Sequence, residues 1–200
     1  MNVPHRSSSL AATAERTAHR FLILLPLLLA ACTSHRLLPG TTYTPHAGKQ
    51  RVENTTAGVS VVYYGDYVFH QPRKRHYPFT DRAWLRSQLK PKEARAFLAA
   101  HTTIEPYGAT LGLVHASGSP VERADAVRSM EGVADLHEEE QHLGGTPWQV
   151  LSYTLGGMTY REYLTAKGDG TVRLLFWTTP DQAAWLERES VPVVESYVDR

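Results

Sequence analysis

Ten histidines and a single cysteine frame the chemistry open to this 200-residue chain. The segment His137-Glu138-Glu139-Glu140-Gln141-His142 sets two imidazoles around three carboxylates, the residue types of a zinc hydrolase. Such a site needs its histidines one helical turn apart, at i and i+4. Here they stand at i and i+5, about 140° apart on a helix of 3.6 residues per turn and on opposite faces of a strand. Only a tight loop with a third ligand from elsewhere would make His137 and His142 a metal site. The stretch is therefore expected to be a solvated acidic loop, and the chain to carry no cofactor.

His115 with Ser117 or Ser119 supplies the pair needed for a serine nucleophile, but the Gly-x-Ser-x-Gly elbow that exposes such a serine is absent. Ser119 has a competing use, because Ser119-Pro120-Val121-Glu122 is a helix start: serine caps, proline suits the first position, and the glutamate reaches back. Gly108-Ala109-Thr110-Leu111-Gly112 lacks a phosphate loop's lysine and is expected to be strand packing. Gly168-Asp169-Gly170 has too few oxygen ligands for calcium and fits a hairpin turn. Arg73-Lys74-Arg75-His76, bracketed by Pro72 and Pro78 and flanked by Tyr63, Tyr64, Tyr67, Phe69, Tyr77 and Phe79, has the chemistry to bind an anion or an acidic partner from a loop.

These residues need elements to position them. Val59 to Tyr64, with Tyr67 and Phe69 after Gly65-Asp66, predicts a strand with a bulge or turn, or a hairpin closed there. Thr80 or Asp81 can cap a helix through Trp84, Leu85 and Leu89, and Pro91 opens a second helical segment to about Ala100. A buried strand is expected within residues 103–116, and a helix from Pro120 to about Met130. Trp148–Leu155, Met158–Thr165 and Thr171–Thr178 predict an antiparallel meander. Thr179-Pro180-Asp181-Gln182 predicts another capped helix start, with Pro192 kinking or restarting that helix. The fold class expected is α+β, an antiparallel sheet flanked by a few helices with the last helix packed on it.

The N-terminal stretch reads as an address. Arg6, Arg16 and Arg20 precede an uncharged apolar run from Phe21 to Ala31, which spans only about 16 Å as a helix against a hydrocarbon core of ~30 Å. The run ends in Leu29-Ala30-Ala31-Cys32, which resembles a bacterial lipobox at all four positions. The resemblance implies cleavage before Cys32, lipidation of its sulfur and amino group with acyl chains such as palmitate, and anchoring in a membrane. Thr33 stands where an aspartate would retain such proteins at the inner membrane, so the implied location is the outer membrane, facing the periplasm. The expected organisation is a signal peptide over 1–31, a lipidated cysteine and flexible tether over 32–57, and one globular domain over 58–200.

Tyr160, Phe176-Trp177-Thr178-Thr179-Pro180 and Val194-Glu195-Ser196-Tyr197 together resemble the PsbP-like α/β/α fold, in which meander strands precede a Thr-Pro-started terminal helix. PsbP-like folds occur in an extrinsic protein of photosynthetic oxygen evolution and in a Ran-binding nucleotide-release factor. The matching stretch covers about a quarter of the chain and carries no functional residue across.

The formal charge of +1 is too weak a field for a nucleic-acid binder, and removing residues 1–31 leaves 18 basic against 19 acidic residues. One cysteine excludes an internal disulfide. The function expected is non-enzymatic, binding or assembling an envelope complex, with the membrane held through Cys32 and an envelope protein as partner. The alternative is a periplasmic metal-dependent or serine hydrolase built on His137 and His142 or on His115 with Ser117.

Overall fold

The computed structural model describes residues 37–46, 48–69, 94–103 and 107–200. Eleven strands and two α-helices occur among them. They are β1 (Thr41–His46), β2 (Lys49–Asn54), β3 (Val59–Tyr64), β4 (Tyr67–Phe69), β5 (Ala94–Thr102) and β6 (Gly108–His115), then α1 (Pro120–Arg128), β7 (Ala134–Leu143), β8 (Thr146–Leu155), β9 (Met158–Lys167), β10 (Gly170–Thr178), α2 (Ala183–Glu195) and β11 (Val198–Asp199). Every strand pairing is antiparallel. A four-stranded sheet runs β1-β2-β3-β11 and a seven-stranded sheet runs β4-β5-β6-β10-β9-β8-β7. The architecture is the expected α+β one.

Alternation sends side chains of the large sheet to two cores. On one face Phe97, Trp148, Tyr163 and Phe176 pack with Val52, Val61 and Tyr63 of the small sheet and with Trp185, Leu186 and Val194 of α2. On the other, Leu111, Leu151, Tyr160 and Trp177 pack with Ala124 and Val127 of α1. The meander β8-β9-β10 falls where the apolar alternation predicts it, joined by turns at Gly156-Gly157 and Gly168-Asp169. Helix α1 starts with a complete capping box: Glu122 N donates to Ser119 Oγ (3.2 Å), and Ser119 N donates to Glu122 Oε2 (2.7 Å).

Five expectations are corrected. Residues 41–54, read as tether, form the β1-β2 hairpin of the small sheet. It is held by Asn54, a fully buried side chain whose Nδ2 donates to Leu38 O (3.1 Å), Pro39 O (3.2 Å) and Thr41 Oγ1 (2.7 Å). Leu38 N also donates to Ala96 O at 2.7 Å, which ties the segment to the large sheet. Residues 94–100, read as helix, are strand β5. Their run of small and apolar side chains is almost wholly buried, and burial against neighbouring strands overrides alanine's helical preference. The acidic stretch 137–142 is strand β7, not a loop, and pairs with β8 along its length. Gly65-Asp66 does not close a hairpin but carries the chain from β3 in the small sheet to β4 in the large one.

The fifth correction concerns the last helix. Thr179 makes no side-chain capping bond; Pro180–Gln182 form one turn of 3-10 helix, after which α2 runs to Glu195 with Pro192 inside it. Pro192 sits in the last turns, where Ser196 N still donates to its carbonyl (3.3 Å), so the helix neither stops nor restarts there. The helix expected from Thr80 or Asp81 lies outside the described residues.

Candidate functional site

Cys32 and the basic cluster Arg73, Lys74, Arg75 and His76 lie outside the described residues. The other expected positions can be placed. His137 and His142 are both exposed on β7, and their spacing of five sets them on opposite faces of that strand. Among the described residues no three of His, Cys, Asp and Glu are grouped to hold a metal ion.

His115 ends β6 and is buried, with both ring nitrogens lacking a hydrogen-bond partner. Burial pushes its imidazole down to about 3, and the positive charges of Arg123 and Arg173 act in the same direction. The neutral ring bonds to neither Ser117 nor Ser119. Ser119 Oγ is occupied as the cap of α1, and Ser117 O accepts from Arg123 Nη2 (2.8 Å). The structure thus does not assemble a serine-histidine pair here.

Gly108 and Gly112 prove to be packing positions. A Cβ on Gly108 would lie 2.0 Å from the Trp185 ring of α2, and one on Gly112 2.6 Å from Phe97. Glycine lets the helix indole approach the sheet backbone.

A groove of about 450 Å³ runs along β7, β8 and β9 beside the start of α1. Pro120 and Val121 of the helix form part of its wall, and Val121 is 57% exposed. Register aligns the strand residues: Glu140 lies opposite Gln149, Gln149 opposite Leu164, and His142 opposite Pro147, so they share one face. Trp148 and Tyr197 also line the groove, and their rings meet edge to face at 5.0 Å. Each buries a hydrogen-bonding atom, Nε1 and Oη, that has no partner. Burial raises the Tyr197 hydroxyl well above the usual phenol range, with Asp199 adding to the shift, so it stays a neutral donor.

Cyanobacterial PsbP (CyanoP) from Synechocystis sp. PCC 6803, determined in solution, superposes with a TM-score of 0.51 over 78% of this chain and 95% of that chain, at 13% identity. The fold is PsbP-like. At that identity the likeness is one of fold alone. LpqN of Mycobacterium tuberculosis, described as involved in cell envelope biogenesis, is 10% identical over 77% of this chain and 91% of its own, with a TM-score of 0.46. A Bacteroides thetaiotaomicron VPI-5482 protein is 11% identical over 72% of this chain and 45% of its own, with a TM-score of 0.35. No protein-family model matches the sequence. No curated protein matches it either.

The PsbP-like body stiffens the sheet beside the groove with a buried polar chain. Arg161 Nε donates to Tyr163 Oη (2.8 Å), Nη1 to Ser152 Oγ (3.0 Å) and Nη2 to Glu139 (2.9 Å), while Tyr163 Oη and Ser190 Oγ are 2.7 Å apart. These bonds link β7, β8, β9 and α2, so the strands that shape the groove are held by side chains as well as by the ladder. Sequence reasoning did not find the groove. Pro120, His142, Trp148 and Tyr197 are scattered along the chain, and only the strand register and the path after α2 bring them together.

Proposed function

We propose that this chain is a lipid-anchored envelope protein whose PsbP-like body binds a partner or ligand and does not turn over a substrate. The anchoring part rests on Leu29-Ala30-Ala31-Cys32. In this reading the acyl chains of Cys32 attach the chain to the membrane; among the described residues no helix is long and apolar enough to cross one. Outer-membrane attachment facing the periplasm follows the same motif with Thr33 after it.

The binding part rests on the groove beside α1. It offers an apolar wall, the His142 imidazole, the Gln141 and Gln149 amides and the Glu140 and Asp199 carboxylates, together with two buried groups whose hydrogen bonds are unmet. The basic cluster Arg73, Lys74, Arg75 and His76 is a second proposed contact for an acidic envelope protein.

The test is crosslinking in intact envelopes followed by affinity purification, comparing the native chain with Val121→Asp, an exposed position whose change leaves the core untouched. A reproducible set of bound molecules that is lost in Val121→Asp supports the reading. The same set retained in Val121→Asp removes the groove from it. Intact mass of the purified chain tests the anchor separately, since diacylglyceryl and acyl additions at Cys32 are read directly.

A further inference from the structure

The outer face of the small sheet carries a concavity of about 420 Å³ lined by Thr44, Lys49, Arg51, Val62 and Tyr64. These residues form two cross-strand rows. Arg51 lies between Thr44 on β1 and Val62 on β3, its register partners on the two sides, and Lys49 lies opposite Tyr64. Lys49 and Arg51 alternate with Val52 and Asn54, which are buried on the inner side, so both cations face outward. The Lys49 ammonium sits 4.8 Å above the Tyr64 ring, which is 38% exposed. Arg51 has no ion pair among the described residues. Acids along residues 41–69 are Glu53 and Asp66; Glu53 is engaged by Arg200, and Asp66 stands on the turn beyond Tyr64. The result is a basic, tyrosine-edged face with its nearest strand acid already neutralised.

We propose that this face docks onto anionic phospholipid headgroups and sets the orientation of the body on the membrane. The inference rests on the anchoring reading above. Charge complementarity selects the occupant: two unneutralised cations beside an interfacial aromatic suit a negatively charged bilayer surface. Chain length makes weak attraction sufficient. Four residues separate Cys32 from Leu37, a span of at most about 18 Å when fully extended, so an anchored body stays at high effective concentration over the headgroups. Each basic residue near such a surface shifts the balance by about fivefold, enough for the pair to favour one orientation.

The experiment uses the full chain purified from bacterial membranes and reconstituted in vesicles of phosphatidylcholine alone or with phosphatidylglycerol. Acetylation of Lys49 is followed by mass spectrometry, with Lys167, already paired with Asp199 and bonded to Gly58 O, as the internal reference. Expected is slowing of Lys49 acetylation by about fivefold or more on phosphatidylglycerol vesicles, abolished in 0.5 M salt and in both Arg51→Gln and Arg51→Glu, with Lys167 unchanged. Equal Lys49 rates on the two vesicle types overturn the proposal, as does protection that survives both Arg51 variants. Intact mass of the same samples reports acylation of Cys32. Missing acyl groups defeat the anchoring reading, whereas acyl groups without Lys49 protection defeat only the docking face.

Discussion

Arg173 holds Glu162 across strands β10 and β9 with two parallel bonds, Nε to Oε2 and Nη2 to Oε1, both 2.6 Å long. The Glu162 side chain is fully buried and that of Arg173 nearly so. Tyr153 Oη donates to the same carboxylate from β8. A buried ion pair is tolerated when its geometry is good and its remaining lone pairs are filled, which is the arrangement here.

Removing one partner should therefore be far worse than removing all. Arg173→Met is expected to cost ~3–5 kcal/mol, because Glu162 is left as an uncompensated buried charge. The combination of Arg173→Met, Glu162→Leu and Tyr153→Phe should recover most of that loss. Urea unfolding at neutral pH checks both; a triple variant as unstable as Arg173→Met would refute the argument.

Gly108 and Trp185 give a second prediction. Gly108→Ala drives a methyl into the indole 2.0 Å away and should destabilise by ~1–3 kcal/mol. Trp185→Leu added to Gly108→Ala should cost less than the separate effects combined, since the clash is with the ring itself. Thermal melts of the four-member mutant cycle measure that coupling.

His115 sets a pH dependence. Its folded pKa of about 3 lies below the ordinary 6.5, so from pH 6.5 down to 3 the unfolded chain binds the proton and the folded chain does not. The contribution is fully present above 6.5 and is lost as pH falls, with a slope of at most ~1.4 kcal/mol per pH unit. His115→Leu should remove that slope between pH 6.5 and 5, above the range where carboxylates titrate. It also deletes two buried unpaired nitrogens, so it should not lower stability at pH 7. Denaturant midpoints across this range, native against His115→Leu, are the check; parallel curves would assign the acid limb to other groups.

Asn54 makes the fourth. Asn54→Ala cuts three bonds to residues 38–41 and the bond from Ala57 N to Oδ1. At about 1 kcal/mol net per bond, the loss should be ~2–4 kcal/mol. Hydrogen exchange should show the loss first at the Leu38 amide and along β1, with β8 and β9 protected longer. Uniform loss of protection would mean that the hairpin and the large sheet open as one unit.

What could be read from the sequence follows how each element is solvated. Helix α1 was legible because its capping chemistry is local, and β8, β9 and β10 because apolar residues recur between glycine turns. Strand β7 was hidden: it is an edge, exposed along both faces, so nothing in His137 to His142 alternates, and its glutamates are steadied by Arg128 and Arg161 from elsewhere in the fold. Strand β5 was hidden for the opposite reason, since burial of Ala96 to Ala100 on both faces removes alternation and leaves an alanine-rich run. The hairpin β1-β2 was disguised by the threonines, proline and histidine of β1, whose strand character depends on pairing with β2, itself paired with β3. The groove had no sequence signal, because its walls combine the start of α1, strands β7 to β9, and Tyr197 and Asp199 from the chain after α2.

The small sheet has a consequence for when the body can form. Its strand β3 is flanked on one side by β2 and on the other by β11, and Val62 N donates to Ser196 Oγ across 134 residues (2.7 Å). Arg200 N likewise donates to Gly58 O at 2.9 Å. A nascent chain holding residues 41–64 therefore has one side of β3 unsatisfied until the last strand has been synthesised. Vectorial synthesis leaves the small sheet unlatched until β11 has emerged, so the sheet begun first is among the last parts to close.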